Sequence, residues 1–132
     1  MQDSIFTKII KGEIPSHKIY EDERTIAFLT IQPFAPAHTL VVPKKQVDQI
    51  WDLDDDEYQN LMKVVKKVGL HLRKVAGSDR VGVTVKGFDV PHVHVHLVPI
   101  NAGEGVNLDQ NDLPIADDAV LAAIAEKYRL HD

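Results

Sequence analysis

Residues 92–98 read His-Val-His-Val-His-Leu-Val, with imidazole and aliphatic side chains in strict alternation from 92 to 97. In an extended strand, successive side chains point to opposite faces of the sheet. The alternation therefore predicts a strand over Val90–Val98 with Val93, Val95 and Leu97 facing a core. His92, His94 and His96 then share the other face. The aliphatic residues are enough to make the strand, and folding has no need of the histidines. A row of imidazoles on one face of a sheet points to chemistry.

The flanking sequence supplies the rest of an α+β domain. Asp3 or Ser4 caps a short helix carrying Ile5, Phe6, Ile9 and Ile10, which Gly12 and Pro15 end. Lys18–Glu21 and Thr25–Leu29 read as a hairpin about Asp22-Glu23. A stiff loop between Pro33 and Pro36 leads to a short buried strand, Thr39–Val42. Asp54 or Asp55 opens a long helix, with Glu57 placed for a capping-box contact. Leu61, Val64, Val65, Val68, Leu72 and Val75 form one apolar stripe along it, and Gly77 stops it. Val81–Val85 precedes the histidine strand, and Asp117–Arg129 reads as a final helix with Leu121, Ile124 and Tyr128 inward. The expected fold is a mostly antiparallel five-stranded meander with one long helix and short terminal helices, in one domain over 1–132. Its core spans about 4–100, and a tail and short helix follow from 101. An open sheet edge in such a meander suits dimerisation.

Composition narrows the function. A formal net charge of -5 over 132 residues argues against a broad grip on nucleic acid, which needs a dense basic surface. It leaves room for a small anion held locally. The absence of cysteine excludes disulfides and thiolate chemistry. No apolar run approaches the ~20 residues of a membrane span, and Met1–Lys11 does not read as a secretory leader. The expectation is a cytoplasmic protein with no nucleic-acid or membrane partner and no cofactor.

Spacing also singles out one histidine. Alternate strand positions lie ~7 Å apart, where two positive charges repel by roughly 2 kcal/mol at an effective dielectric of about 20. The three protonations are then coupled. Only His94 has a neighbour on each side, so it is expected to be the neutral member, a nucleophile flanked by acids. Three other readings stay open at this point: a metal site, since histidines at alternate strand positions can chelate, a pH-sensing surface, and a merely polar face.

Three linked motifs carry a family resemblance. His92–Val98 is similar to the defining motif of the histidine triad (HIT) family. Pro36–Lys45, "PAHTLVVPKK", and Ile5–Ser16, "IFTKIIKGEIPS", resemble its other signatures, in the right order from residue 4 to about 100. Within the family the chain resembles the bacterial Hint-like branch. The resemblance implies a homodimeric nucleotide-binding hydrolase or transferase acting on nucleoside phosphoramidates or dinucleoside polyphosphates. His94 would attack the α-phosphorus to form a nucleotidyl-histidine, which water releases as the monophosphate. His96 would contact the phosphate or leaving group and help proton transfer, and His92 and His38 would orient the site. Phe6, Phe28, Thr30, Ile31, Lys86, Gly87, Asp89 and Val90 would line a site for an AMP-like purine nucleotide. Two further readings stand beside it: a nucleotide-binding or regulatory relative with weak turnover, and a histidine metal site.

The chain departs from the family pattern at three places. Many bacterial members bind zinc through two cysteines and a histidine at positions held here by Ser4, Thr7 and Gln46, so no structural metal is expected. The acidic residue that often holds the ribose is replaced by Thr30, which lacks the charge-assisted grip of a carboxylate. Gly87-Phe88-Asp89 stands where Gly-Gln-Ser/Thr is usual. Asp89 there either repels an anion or pairs with a triad histidine and raises its pKa. Elsewhere, Lys63, Lys66, Lys67 and Lys74 read as a solvated helix face, Trp51 and Phe34 as core with a base pocket as the alternative use, and His17, His71 and His131 as ordinary surface residues. Gly103-Glu104-Gly105 reads as a flexible turn, with a tail beyond it that can reach the active site or the partner subunit.

Overall fold

The computed structural model describes residues 2–104 and 113–131. Helix α1 (Ile5–Ile10) leads into strands β1 (Lys18–Glu21), β2 (Thr25–Leu29) and β3 (Thr39–Pro43). A 3-10 turn at Ile50–Asp52 precedes helix α2 (Asp55–Ala76), then strands β4 (Arg80–Thr84) and β5 (Val95–Ile100), and helix α3 (Asp118–Tyr128). The strands form one antiparallel sheet in the order β1-β2-β3-β5-β4.

The helix termini follow the capping chemistry of the sequence. Ser4 Oγ accepts from the Thr7 amide at 3.0 Å, and Asp54 Oδ1 accepts from the Glu57 amide at 2.8 Å. The Glu57 carboxylate does not return to its own N-cap; it accepts from Arg24 at 2.8 Å and ties α2 to the β1–β2 turn. Within that turn, Asp22 Oδ1 accepts from the amides of Arg24 and Thr25, each at 2.9 Å, and this fixes the hairpin. Gly77 ends α2 in the left-handed region at φ 63°, where a side chain is strained.

The sheet divides two apolar layers. On one side the α2 stripe of Leu61, Val64, Val65, Val68 and Leu72 packs with Val41, Val93, Val95 and Leu97, together with Leu121, Ala125 and Tyr128 of α3. On the other, α1 lays Phe6 over Ile26, Phe28, Leu40 and Val42. His71 Nε2 donates to the Tyr128 carbonyl at 2.7 Å, so this histidine joins α2 to α3 and is more than a surface residue.

The histidine strand begins later than the alternation predicts. β5 opens at Val95 rather than Val90, because Pro91 has no amide to donate to a ladder. Just beyond it, the His92 amide turns back on the Val90 carbonyl at 2.8 Å, and the Val93 amide is captured by the Val47 carbonyl at 2.8 Å. The facing pattern survives without the ladder: Val93, Val95 and Leu97 reach the main core and the three histidines are buried on the opposite side. Among the described residues no helix is long and apolar enough to cross a membrane. Of the expected turn at 103–105, Gly105 lies outside the described residues.

Candidate active site

Four imidazoles, His38, His92, His94 and His96, are each at most 3% exposed. His38 arrives from the end of the proline loop, just before β3. It pairs across the sheet with β5, where Leu40 lies opposite His96. The ring centroids of His38 and His96 are 5.2 Å apart, and those of His94 and His96 5.1 Å. The His94–His96 ring separation is shorter than the ~7 Å repeat of alternate strand positions.

Hydrogen bonds assign a proton to each ring. A backbone N–H only donates and a carbonyl only accepts. The Phe34 amide donates to His38 Nδ1 at 3.0 Å, so neutral His38 carries its proton on Nε2. That proton is donated to His96 Nδ1 at 3.0 Å, which leaves His96 with Nε2–H. His92 donates Nε2–H to the Pro43 carbonyl at 2.7 Å and accepts the Ser4 hydroxyl proton at Nδ1, also at 2.7 Å. His94 is reversed: its Nδ1–H donates to the His92 carbonyl at 2.7 Å. Among the described residues its Nε2 has no hydrogen-bond partner, so a bare lone pair remains there.

Burial keeps these rings neutral. Desolvation lowers His38 to about 4. Desolvation is also the main cause at His96, which falls to about 3, with the positive charge of a protonated His94 or His38 and of Lys86 adding to it. Burial likewise lowers His92 and His94 below the ordinary histidine value. The neutrality of His94 thus comes from desolvation, not from two charged neighbours, and its neighbours are neutral as well. Asp89 acts in the opposite direction on His94, raising its pKa.

The rings are held against aromatic walls. Phe6 stands edge-on to His94 at 5.0 Å and to Phe28 at 5.5 Å. These residues open into a cleft of about 560 Å³, also lined by Thr30, Ile31, Asp89 and Val90. Six of the residues expected to bind the nucleotide are therefore brought together with His94. Lys86 and Gly87 are not in that cleft. They line a neighbouring hollow of about 290 Å³ with Trp51 and Phe88, and His94 lines both. Trp51 is 81% exposed and belongs to this hollow rather than to the core. Phe34 is half-buried beside the proline loop, where its amide rather than its ring serves the site.

Ser4, Thr7 and Gln46 also converge, on His92. Thr7 Oγ1 donates to Gln46 Oε1 at 2.6 Å, and the Ser4 amide donates to the same oxygen at 2.9 Å. Two hydroxyls, an amide and one imidazole do not fit the thiolate and imidazole ligation of a structural zinc. Both nitrogens of His92 are occupied, so it offers no lone pair to a metal at 92–96 either.

A family profile for the HIT domain matches residues 11–103. The chain belongs to the HIT family. It is 45% identical over 106 residues to an uncharacterized HIT-like protein of Methanocaldococcus jannaschii, covering 76% of this chain and 81% of that one. It is 38% identical over 107 residues to a Candida albicans protein named adenosine 5'-monophosphoramidase, covering 72% and 68%. Among solved structures, a HIT-like protein of Bartonella henselae superposes with a TM-score of 0.85 at 34% identity, covering 96% of this chain and 94% of that one. The five-stranded antiparallel sheet and its helices are thus a HIT fold.

Sequence reasoning missed one pair at this HIT site. His17 and Asp118, joined at 2.8 Å, both line the large cleft. It also had no means of finding the Phe34 amide and the Pro43 carbonyl, because backbone groups leave no trace in side-chain identity.

Proposed function

We propose that this HIT protein is a nucleotidyl hydrolase that cleaves an adenosine phosphoramidate or a dinucleoside polyphosphate through His94. The observation that carries the reading is the unpartnered Nε2 of His94, a residue that lines both hollows. The likeness to a yeast adenosine 5'-monophosphoramidase supports it. The purine base lies against the wall that Phe6 and Phe28 form in the larger cleft, with the sugar toward Thr30 and Ile31. The α-phosphate meets His94 and His96, and the leaving group occupies the smaller hollow by Lys86 and Gly87.

The chemistry follows from the protons. The Nε2 lone pair of His94 attacks the α-phosphorus, and the bond from phosphorus to the leaving nitrogen or oxygen breaks. The departing group takes a proton from solvent in the open hollow. His96 Nε2–H donates to a phosphate oxygen as charge develops. A second proton on His96 is opposed, because the Phe34 amide and His38 oblige Nδ1 of His96 to accept. His96 is therefore a neutral hydrogen-bond donor more than an acid. Water then attacks the adenylyl-histidine and gives up a proton to solvent, the phosphorus–Nε2 bond breaks, and AMP leaves with His94 neutral again. No cofactor takes part.

The protein works as a homodimer in this reading, with β4 as the joining edge, since Val83 and Leu70 beside it are 57% and 47% exposed. Brief reaction with adenosine 5'-phosphoramidate, quenched and read by mass spectrometry, should show one adenylyl group on His94 and AMP in solution. His94→Ala should show neither. Binding of AMP with no release from any substrate would assign the chain to the regulatory reading, and no binding at all would remove the nucleotide.

A further inference from the structure

The tail after the HIT core returns to the cleft. The Ala116 amide donates to the Ile31 carbonyl at 2.8 Å, and Gln32 Nε2 donates to the Leu113 carbonyl at 2.9 Å. Residues 113–116 are thereby bound to the segment that follows β2, and α3 starts at the cleft. Asp118 is the first residue of α3, and its Oδ1 accepts from His17 Nε2–H at 2.8 Å. Both residues line the cleft beside Thr30, Ile31 and Gln32. His17 is a fixed post: its side chain is only 22% exposed and its carbonyl accepts from the Leu29 amide at 3.0 Å. The Asp118 side chain is 92% exposed, so Oδ2 and the remaining lone pair of Oδ1 are open to a ligand.

We propose that Asp118, steadied by His17, is the carboxylate that binds the 2',3'-diol of the nucleotide ribose. The proposal rests on the reading of the cleft as a nucleotide site and names the group that recognises the sugar there. A vicinal cis-diol presents two O–H donors side by side, and a carboxylate accepts both in charge-assisted bonds. Thr30 is poorly suited to the task alone, because its hydroxyl already accepts from the Gln32 amide at 3.2 Å. The carboxylate missing at residue 30 is thus supplied from more than eighty residues further along the chain, across a contact no sequence periodicity reports.

Calorimetric titration of the full chain with AMP and with 2',3'-dideoxy-AMP tests this. The wild type should prefer AMP by about ten- to a hundred-fold, the range expected for hydrogen bonds to a charged group. Asp118→Asn should bring the two ligands to near-equal affinity. This substitution leaves the helix cap intact, because the capping bond to the Ala119 amide comes from Asp117. His17→Ala, which frees the carboxylate to swing, should reduce the preference several-fold. An Asp118→Asn protein that keeps the wild-type ratio would overturn the proposal, as would a wild type that binds both ligands equally. Those outcomes leave the nucleotide site standing, whereas failure of the wild type to bind AMP at all removes the site and the proposal together.

Discussion

At the scale of single residues, the site is a problem of where four protons sit. His38, His92 and His96 carry theirs on Nε2, and His94 alone carries it on Nδ1. Nitrogen-15 spectra of labelled protein near neutral pH should therefore show one buried Nδ1–H tautomer, and His94→Ala should remove that signal. His96→Ala deletes one donor to the developing phosphate charge and should lower kcat by about 10²–10³-fold with a smaller change in KM, measured by AMP release. The sequence made the shared face of His92, His94 and His96 legible, because alternation survives even where the ladder does not, whereas His38 came only from the family resemblance. It misassigned the cause of His94's neutrality, because desolvation is a property of the packed site and not of spacing. Ser4, Thr7 and Gln46 depart from the family's zinc-ligand pattern together in the sequence, and in the fold they meet around one ring.

At the scale of elements, α2 was the clearest to read and is the most exposed to substitution. Leu72 is fully buried in its stripe, so Leu72→Ala should cost about 2–5 kcal/mol in a denaturant melt. Gly77→Ala meets no atom within 4 Å but must hold φ 63°, and should cost about 1 kcal/mol through backbone strain alone. Hairpin and helix ends were legible because Asp22, Asp54 and Gly77 act on backbone groups only a few residues away. The start of β5 was not. There the amide of Val93 is taken by Val47, forty-six residues earlier, and local pattern carries no record of such a partner.

At the scale of the molecule, acidity acts on folding through the same histidines. The unfolded chain protonates His38 and His96 near 6.5, whereas the folded chain waits until about 4 and about 3. Between those limits the unfolded state binds more protons, so stability is full above about 6.5 and falls as the pH drops through this window. Melting temperature should decline from pH 7 to pH 4, and less steeply in His38→Ala. If β4 joins two copies, Val83→Lys should convert a dimer to a monomer in sedimentation. The attachment of residues 113–116 to the segment after β2 has a consequence in time. A chain still emerging from the ribosome acquires its histidines well before the wall that carries Asp118. Nucleotide therefore has its complete receptor only after residues 113–118 have been added, and its arrival should act as a late latch, slowing amide exchange at Ala116 and in α3 more than in the strands already laid down.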